Sequence, residues 1–272
     1  MPVLVTAAHQ PLARRLAARL LEEGGEVRVT ATGDVASLRA AGAFVATATP
    51  DDEGRLEAAL TDVHTLVHVG GGLASPDLDR IVADAEVAAR AARGAGVRRV
   101  ISLSVAGASP DATDPLRRAK AAVEEILAAL PCPTIVLRLG LVDTPALRDA
   151  LVTAGLEPVH LGVEVRPVRV ADVLELVVAF DRARSRSTEG HLVVAADGPQ
   201  AMSVAGYLDR VTGSRDGRGR LLGRRLPDAA TIQRLVATLS GPWEQTEPHL
   251  VDGWAFAQLE PGVPGVSDPS GG

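Results

Sequence analysis

Apolar and polar positions change places in blocks along the first half of the chain. Short continuous apolar runs at 3–6, 26–31, 43–47, 63–69, 98–103 and 133–139 have the length and make-up of buried strands. Between them, segments near 11–23, 34–41, 51–60, 77–94 and 112–130 carry apolar residues at helical spacing. In the last of these, Leu116, Ala119, Val123, Ile126, Leu127 and Leu130 share one stripe, the pattern of a helix laid on a core. Strands with no exposed face, alternating with amphipathic helices, predict an α/β fold built on a doubly wound parallel sheet covered on both sides.

After Gly140 the rhythm changes. A short helix near 145–153 precedes two or three brief extended pieces across 159–170, and Asp172 is placed to cap a helix running to about Ala183. A strand at 191–195 and helices at 203–212 and 228–239 follow. The pattern divides the chain into a core at 1–140, a smaller C-terminal lobe at 141–240 that completes the fold, and a tail at 241–272. The tail carries Trp243 and Trp254, which are expected to dock its first part, and ends in a Pro/Gly/Ser-rich stretch expected to be disordered.

Composition narrows the choice of partner. A net charge of −6 offers no general attraction to nucleic acid, and an aromatic content of 2% leaves little on which to stack bases. No nucleic-acid partner is therefore expected. Cys132 is the only cysteine, so no internal disulfide forms, and its place between Pro131 and Pro133 reads as packing. His9, His64, His68, His160, His191 and His249 are dispersed, without metal-ligand spacing, so no metal is expected. No basic-apolar leader opens the sequence and no apolar run nears the ~20 residues that span a bilayer. A cytoplasmic location without a membrane partner is the expectation.

The candidate chemistry starts at the first turn. Val3 to Thr6, the turn from Ala7 to Gln10, and the helix that opens at Pro11-Leu12-Ala13 form the strand–turn–helix frame that holds a dinucleotide pyrophosphate at a helix N-terminus. The glycines of that motif are replaced by Ala7, Gln10 and Ala13. Ala7 suffers if the turn needs positive φ, the Gln10 side chain projects where backbone should meet phosphate, and Pro11 contributes no N–H. His9 and His68 fall at strand ends that would line the cleft. Gly70-Gly71-Gly72 would admit close approach of a ligand, and Arg138, Asp143, Arg166, Arg169 and Asp172 are candidates to gather by the smaller lobe, binding an acidic ligand or, as the favoured alternative, forming an ion-pair network.

Several blocks in order resemble the short-chain dehydrogenase/reductase superfamily, in its extended and atypical branches (epimerase/dehydratase-like and NmrA-like proteins). Val3–Ala13 resembles the Thr-Gly-x-x-Gly-x-x-Gly turn, Asp62–Gly70 the fourth strand, Ser102–Gly107 the fifth strand with its serine, and Lys120-Ala121-Ala122-Val123-Glu124 the Lys-Ala-x-x-Glu helix. Thr134–Gly140, Val168–Val173 and Gly190–Val194 resemble later elements. The resemblance covers roughly 1–215. It implies a Rossmann-type sheet, an NAD or NADP cofactor, Ser104 and Lys120 at catalytic positions, and cofactor contacts from Thr6, Ala7, His9, Gln10, Pro11, Leu12, Ala13, Thr47, His68 and Gly70.

The departures shape the functional expectation. Leu116 stands where such enzymes carry the tyrosine of a Tyr-x-x-x-Lys pair, and leucine transfers no proton. Tyr207, the only tyrosine, lies in the smaller lobe. Thr47 replaces an aspartate near the adenine, and the end of the second strand lacks the usual acidic residue, Asp34 coming late and Arg28 lying inside the strand. Three readings follow. One is a ligand-binding or regulatory protein with weak or altered dinucleotide binding. Another is an active NAD(P)-dependent reductase or sugar-nucleotide epimerase with a substitute proton donor such as His68. The last is a scaffold whose cleft is filled by Gln10 and its neighbours. A homodimer through the helices at 77–94 and 112–130 is compatible with each.

Overall fold

The structure is a computed structural model that describes residues 1–46, 51–71, 77–153, 156, 158–182, 190–212, 249–251 and 254–258. Its first half runs β1 (Val3–Val5), α1 (Pro11–Glu22), β2 (Val27–Thr30), α2 (Ala36–Ala40), β3 (Phe44–Ala46), α3 (Glu53–Leu60) and β4 (Thr65–His68). Then come α4 (Leu78–Gly94), β5 (Arg99–Val105), α5 (Pro115–Ala128) and β6 (Thr134–Leu139). The second half holds β7 (Val142–Asp143), α6 (Pro145–Thr153), α7 (Pro158–Leu161), β8 (Glu164–Val165), β9 (Val168–Arg169) and α8 (Val170–Arg182). It closes with β10 (His191–Ala196), β11 (Met202–Ser203), α9 (Val204–Thr212), β12 (His249–Val251) and β13 (Trp254–Gln258).

The strands assemble in the order β12-β13-β10-β6-β5-β4-β1-β2-β3. From β10 to β3 every pairing is parallel, which makes the centre a seven-stranded parallel sheet of Rossmann type. Successive residues alternate between two cores. Val3, Val5, Val67 and Ile101 pack toward α1 and α8, whereas Leu4, Leu66 and Val100 pack toward α3, α4 and α5. This two-sided burial explains why the strands read as continuous apolar runs. Aspartates start the helices on the second face: Asp52, Asp77 and Asp114 accept hydrogen bonds from the backbone N–H of Arg55, Arg80 and Leu116. A third apolar cluster lies apart from these two: Leu147 and Leu151 of α6 meet Val204, Tyr207 and Leu208 of α9.

Two expectations change. Asp172 does not cap α8, which already begins at Val170; it lies inside the first turn, where Arg169 donates to its carboxylate from Nε at 2.8 Å. The tail does more than dock: Trp254–Gln258 adds an antiparallel strand beside β10, and His249–Val251 pairs with that strand in turn. Trp243, the helix expected at 228–239 and the residues from 259 onward lie outside the described residues. Among the described residues, no helix is long and apolar enough to cross a membrane.

Candidate functional site

At the carboxyl edge of the sheet β1 lies between β2 and β4, whose connections leave in opposite directions. That reversal opens a crevice where ligands of such sheets bind. The chain leaving β1 is tied to both neighbours. Thr6 N–H donates to Val67 O at 3.0 Å, and its Oγ1 accepts from Val69 N–H at 2.9 Å. Ala7 N–H donates to Thr30 Oγ1 at 3.3 Å, and Ala8 N–H to Thr30 O at 2.8 Å. Ala7 has φ 55°, the left-handed region, so the turn keeps the conformation for which glycine is suited. An alanine there costs about 1 kcal/mol. Gln10 N–H closes the turn onto Ala7 O at 2.8 Å, and Pro11 opens α1 with no capping side chain. Ala13 is fully buried and Leu12 packs partly buried against the same core.

A cavity of about 260 Å³ fills this crevice. Its sheet side is formed by Thr6, Ala7, Thr30, Ala31 and Thr32, and its mouth by His9 and Gln10. Gln10 therefore lines the cleft instead of filling it, against the scaffold reading. The end of β4 supplies His68, Val69, Gly70 and Gly71, while the opposite wall comes from Leu56 of α3 and Arg80, Ile81, Asp84 and Ala88 of α4, with Asp77 at the start of that helix. Pro11, Leu12 and Ala13 do not belong to the wall, and Thr47 and Gly72 lie outside the described residues. Arg80 Nε sits 2.7 Å from Asp84 Oδ1, and burial raises the Asp84 carboxyl above its usual range while Arg80 pulls the other way. The α4 wall was not foreseen. Its one legible signal is Asp84, a carboxylate on the same helical stripe as Ile81 and Ala88.

His68 is 3% exposed, and neither ring nitrogen has a hydrogen-bond partner among the described residues. Burial, then the neighbouring Lys120 cation, pushes its pKa down to about 3. A neutral ring carries one N–H donor and one acceptor nitrogen, here at the end of β4. Asp34, the late candidate for a ribose hydroxyl, accepts from Ala36 N–H at 2.8 Å at the start of α2. Arg28 is held by Glu26 and by the carbonyls of Ala59 and Thr61.

The residues at the family's catalytic positions meet in a separate layer between β5, β6 and α5. Ser104 Oγ donates to Glu124 Oε1, and Arg138 donates to both Glu124 oxygens, from NH2 to Oε2 at 2.7 Å and from Nε to Oε1 at 3.0 Å. Lys120 is buried, with Nζ donating to Gly70 O at 2.9 Å and Leu103 O at 3.1 Å. Burial lowers its pKa to about 8 in spite of nearby Glu124. A Cβ built on Gly70 would lie 3.0 Å from His68 Nε2 and 3.3 Å from Lys120 Nζ, so a residue without a side chain lets these groups close up. Leu116 is wholly buried in the core beneath α4 and α5.

The remaining candidates lie apart. Tyr207 donates its hydroxyl to Asp143, which Arg148 also holds through Nε at 2.7 Å and NH2 at 2.8 Å. Burial, then Asp143, raises the Tyr207 pKa. The expected gathering of Arg138, Asp143, Arg166, Arg169 and Asp172 resolves into local pairs: Arg138 with Glu124, Arg148 with Asp143, and Arg169 with Asp172. Cys132 is half-buried, and burial pushes its thiol pKa up, away from reactivity. Among the described residues, no group of three or more His, Cys, Asp or Glu could hold a metal ion.

No protein-family profile and no curated protein matches the chain. Solved structures do. The triphenylmethane reductase of Citrobacter sp., solved with NADP(H), superposes with a TM-score of 0.71 at 17% identity, covering 91% of this chain and 93% of that one. A nucleoside-diphosphate-sugar epimerase from Staphylococcus aureus gives 0.70 at 12% identity, with coverages of 91% and 93%. A short-chain dehydrogenase/reductase superfamily protein from Agrobacterium tumefaciens with bound NAD gives 0.59 at 16%, with coverages of 88% and 97%. At these identities the likeness establishes the fold alone: the chain shares the Rossmann-type architecture of these structures.

Proposed function

We propose that this chain is a ligand-binding or regulatory protein on an NAD(P)-binding fold, without the classical oxidoreductase turnover of the enzymes it resembles. The observation that carries the reading is the state of the β5–α5 layer. Leu116 occupies the core at the tyrosine position, Ser104 is bonded to Glu124, and Lys120 is bonded to two backbone carbonyls. The crevice itself remains open. Its fit to a dinucleotide is divided: the cavity suits a nucleoside, whereas the turn meets the pyrophosphate position with Ala7 and Gln10 in place of glycine. A bound nicotinamide dinucleotide would supply hydride chemistry. Thr30, Thr32, His68 and Asp84 would hold its nucleoside end.

Calorimetric titration with NAD, NADH, NADP and NADPH, paired with an absorbance assay for nicotinamide turnover, tests the reading. Binding without turnover supports a sensor; turnover with a carbonyl or sugar-nucleotide substrate overturns it. The enzyme reading, an NAD(P)-dependent reductase or epimerase, is favoured by one observation. Lys120 reaches the cleft, its Nζ donating at 2.9 Å to the carbonyl of Gly70, which lines the cavity, and burial lowers its pKa to about 8.

A further inference from the structure

One charged side chain ties the β5–α5 layer to the crevice. Of the 28 lysines and arginines in the chain, only residue 120 is a lysine. It is buried, and its Nζ spans two neighbouring strands. It donates to Leu103 O within β5 at 3.1 Å and to Gly70 O, two residues past the end of β4, at 2.9 Å. Gly70 belongs to the cavity wall with His68, Val69 and Gly71, whereas Lys120 does not line the cavity. One residue back, Val69 N–H donates to Thr6 Oγ1 at 2.9 Å, and Thr6 leads directly into Ala7 with its φ of 55°. A continuous run thus passes from α5 through Gly70 and Val69 to the first turn.

The fit around this run leaves no slack. A Cβ built on Gly70 would stand 3.0 Å from His68 Nε2 and 3.3 Å from Lys120 Nζ, closer than ordinary van der Waals contact. A compact ammonium on an unbranched stem suits such a gap, where a planar guanidinium would bring five donors to satisfy. Burial lowers the Lys120 pKa to about 8, with Glu124 acting in the opposite direction, so folding disfavours the charged form. The ammonium therefore subtracts from global stability. Its contribution is local: two charge-assisted hydrogen bonds to fixed points of the backbone.

We infer that Lys120 is a positioning residue, a strap that holds Gly70 and Val69 against the first turn and so sets the wall of a crevice it does not line. The inference needs only the geometry of the crevice and not the identity of a ligand, so its failure leaves the proposed function standing.

The test is amide hydrogen exchange by NMR on the full chain without ligand, paired with urea unfolding at pH 7. Lys120→Met keeps the stem and removes the ammonium. Protection at the Val69 and Thr6 amides should fall about tenfold or more, while Val136 of β6 and Leu192 of β10 stay within about twofold and the urea midpoint holds or rises. Gly70→Ala keeps the lysine and strains the same bond from its other end, so it should give the same local loss. Undiminished protection at Val69 and Thr6 in either folded variant overturns the inference. A loss shared equally by Val136 and Leu192, with a lowered urea midpoint, overturns it too, because that is the signature of a residue that only stabilises the fold.

Discussion

Two polar regions lie side by side at the carboxyl edge of the sheet, and they are in opposite states. In the β5–α5 layer the polar atoms answer one another: Ser104 and Arg138 converge on Glu124, and Lys120 reaches two carbonyls. In the crevice between β1 and α4, His68 is buried with no partner among the described residues, and Ala7 is held at positive φ. A satisfied buried network holds a fold together. A buried group without a partner can be satisfied by a ligand, and backbone strain clusters at functional sites. The contrast supports the proposal that ligand binding belongs to the crevice and a structural role to the layer.

The strongest challenge to that contrast is Glu124→Ala. It leaves Arg138 and Ser104 without their shared acceptor, and urea unfolding should show a loss of about 3–5 kcal/mol. A loss under about 1 kcal/mol would mean that the layer is not a structural network. Lys120 sharpens the comparison through pH. Its folded pKa near 8 lies below the unfolded value, so the unfolded chain binds more protons between pH 8 and 10.5. Stability should therefore rise across that window, by up to roughly 3 kcal/mol, and Lys120→Met should remove the rise.

Leu116→Tyr supplies the tyrosine that the resemblance puts at this position but inserts a phenol into a filled core. A cost of about 1–3 kcal/mol is expected, with no gain in nicotinamide turnover by absorbance. Turnover appearing in that variant would show that the layer is still an active site. The smallest effect belongs to Ala7→Gly, which relieves the left-handed alanine. Thermal or urea unfolding should show a gain of about 0.5–1 kcal/mol, reduced by the greater freedom of glycine in the unfolded chain.

Much of this was readable beforehand. Continuous apolar strands and helical stripes determined the parallel sheet, because two-sided burial demands that pattern. The conflict at Ala7 followed from the motif's need for positive φ. The α5 helix shows where reading stopped. Lys120 and Glu124 look like residues of a solvated helix face, yet both are buried, since α5 packs against strands that present Ser104 and Arg138 to the same layer. Arg80 was likewise invisible as a cavity residue, because its part depends on how α4 crosses the end of β4.

The sequence by itself determined the order of elements, the buried strands, the leucine at position 116 and the conflict that a positive φ would create at Ala7. Each follows from local chemistry: side-chain periodicity, the capacity of a residue to carry a proton, and the steric cost of a Cβ at positive φ. Only the tertiary structure decided which polar groups find partners. Hydrogen-bond satisfaction depends on atoms brought together from distant parts of the chain, as Lys120 with Gly70 and Ser104 with Glu124, and no local pattern encodes that distance.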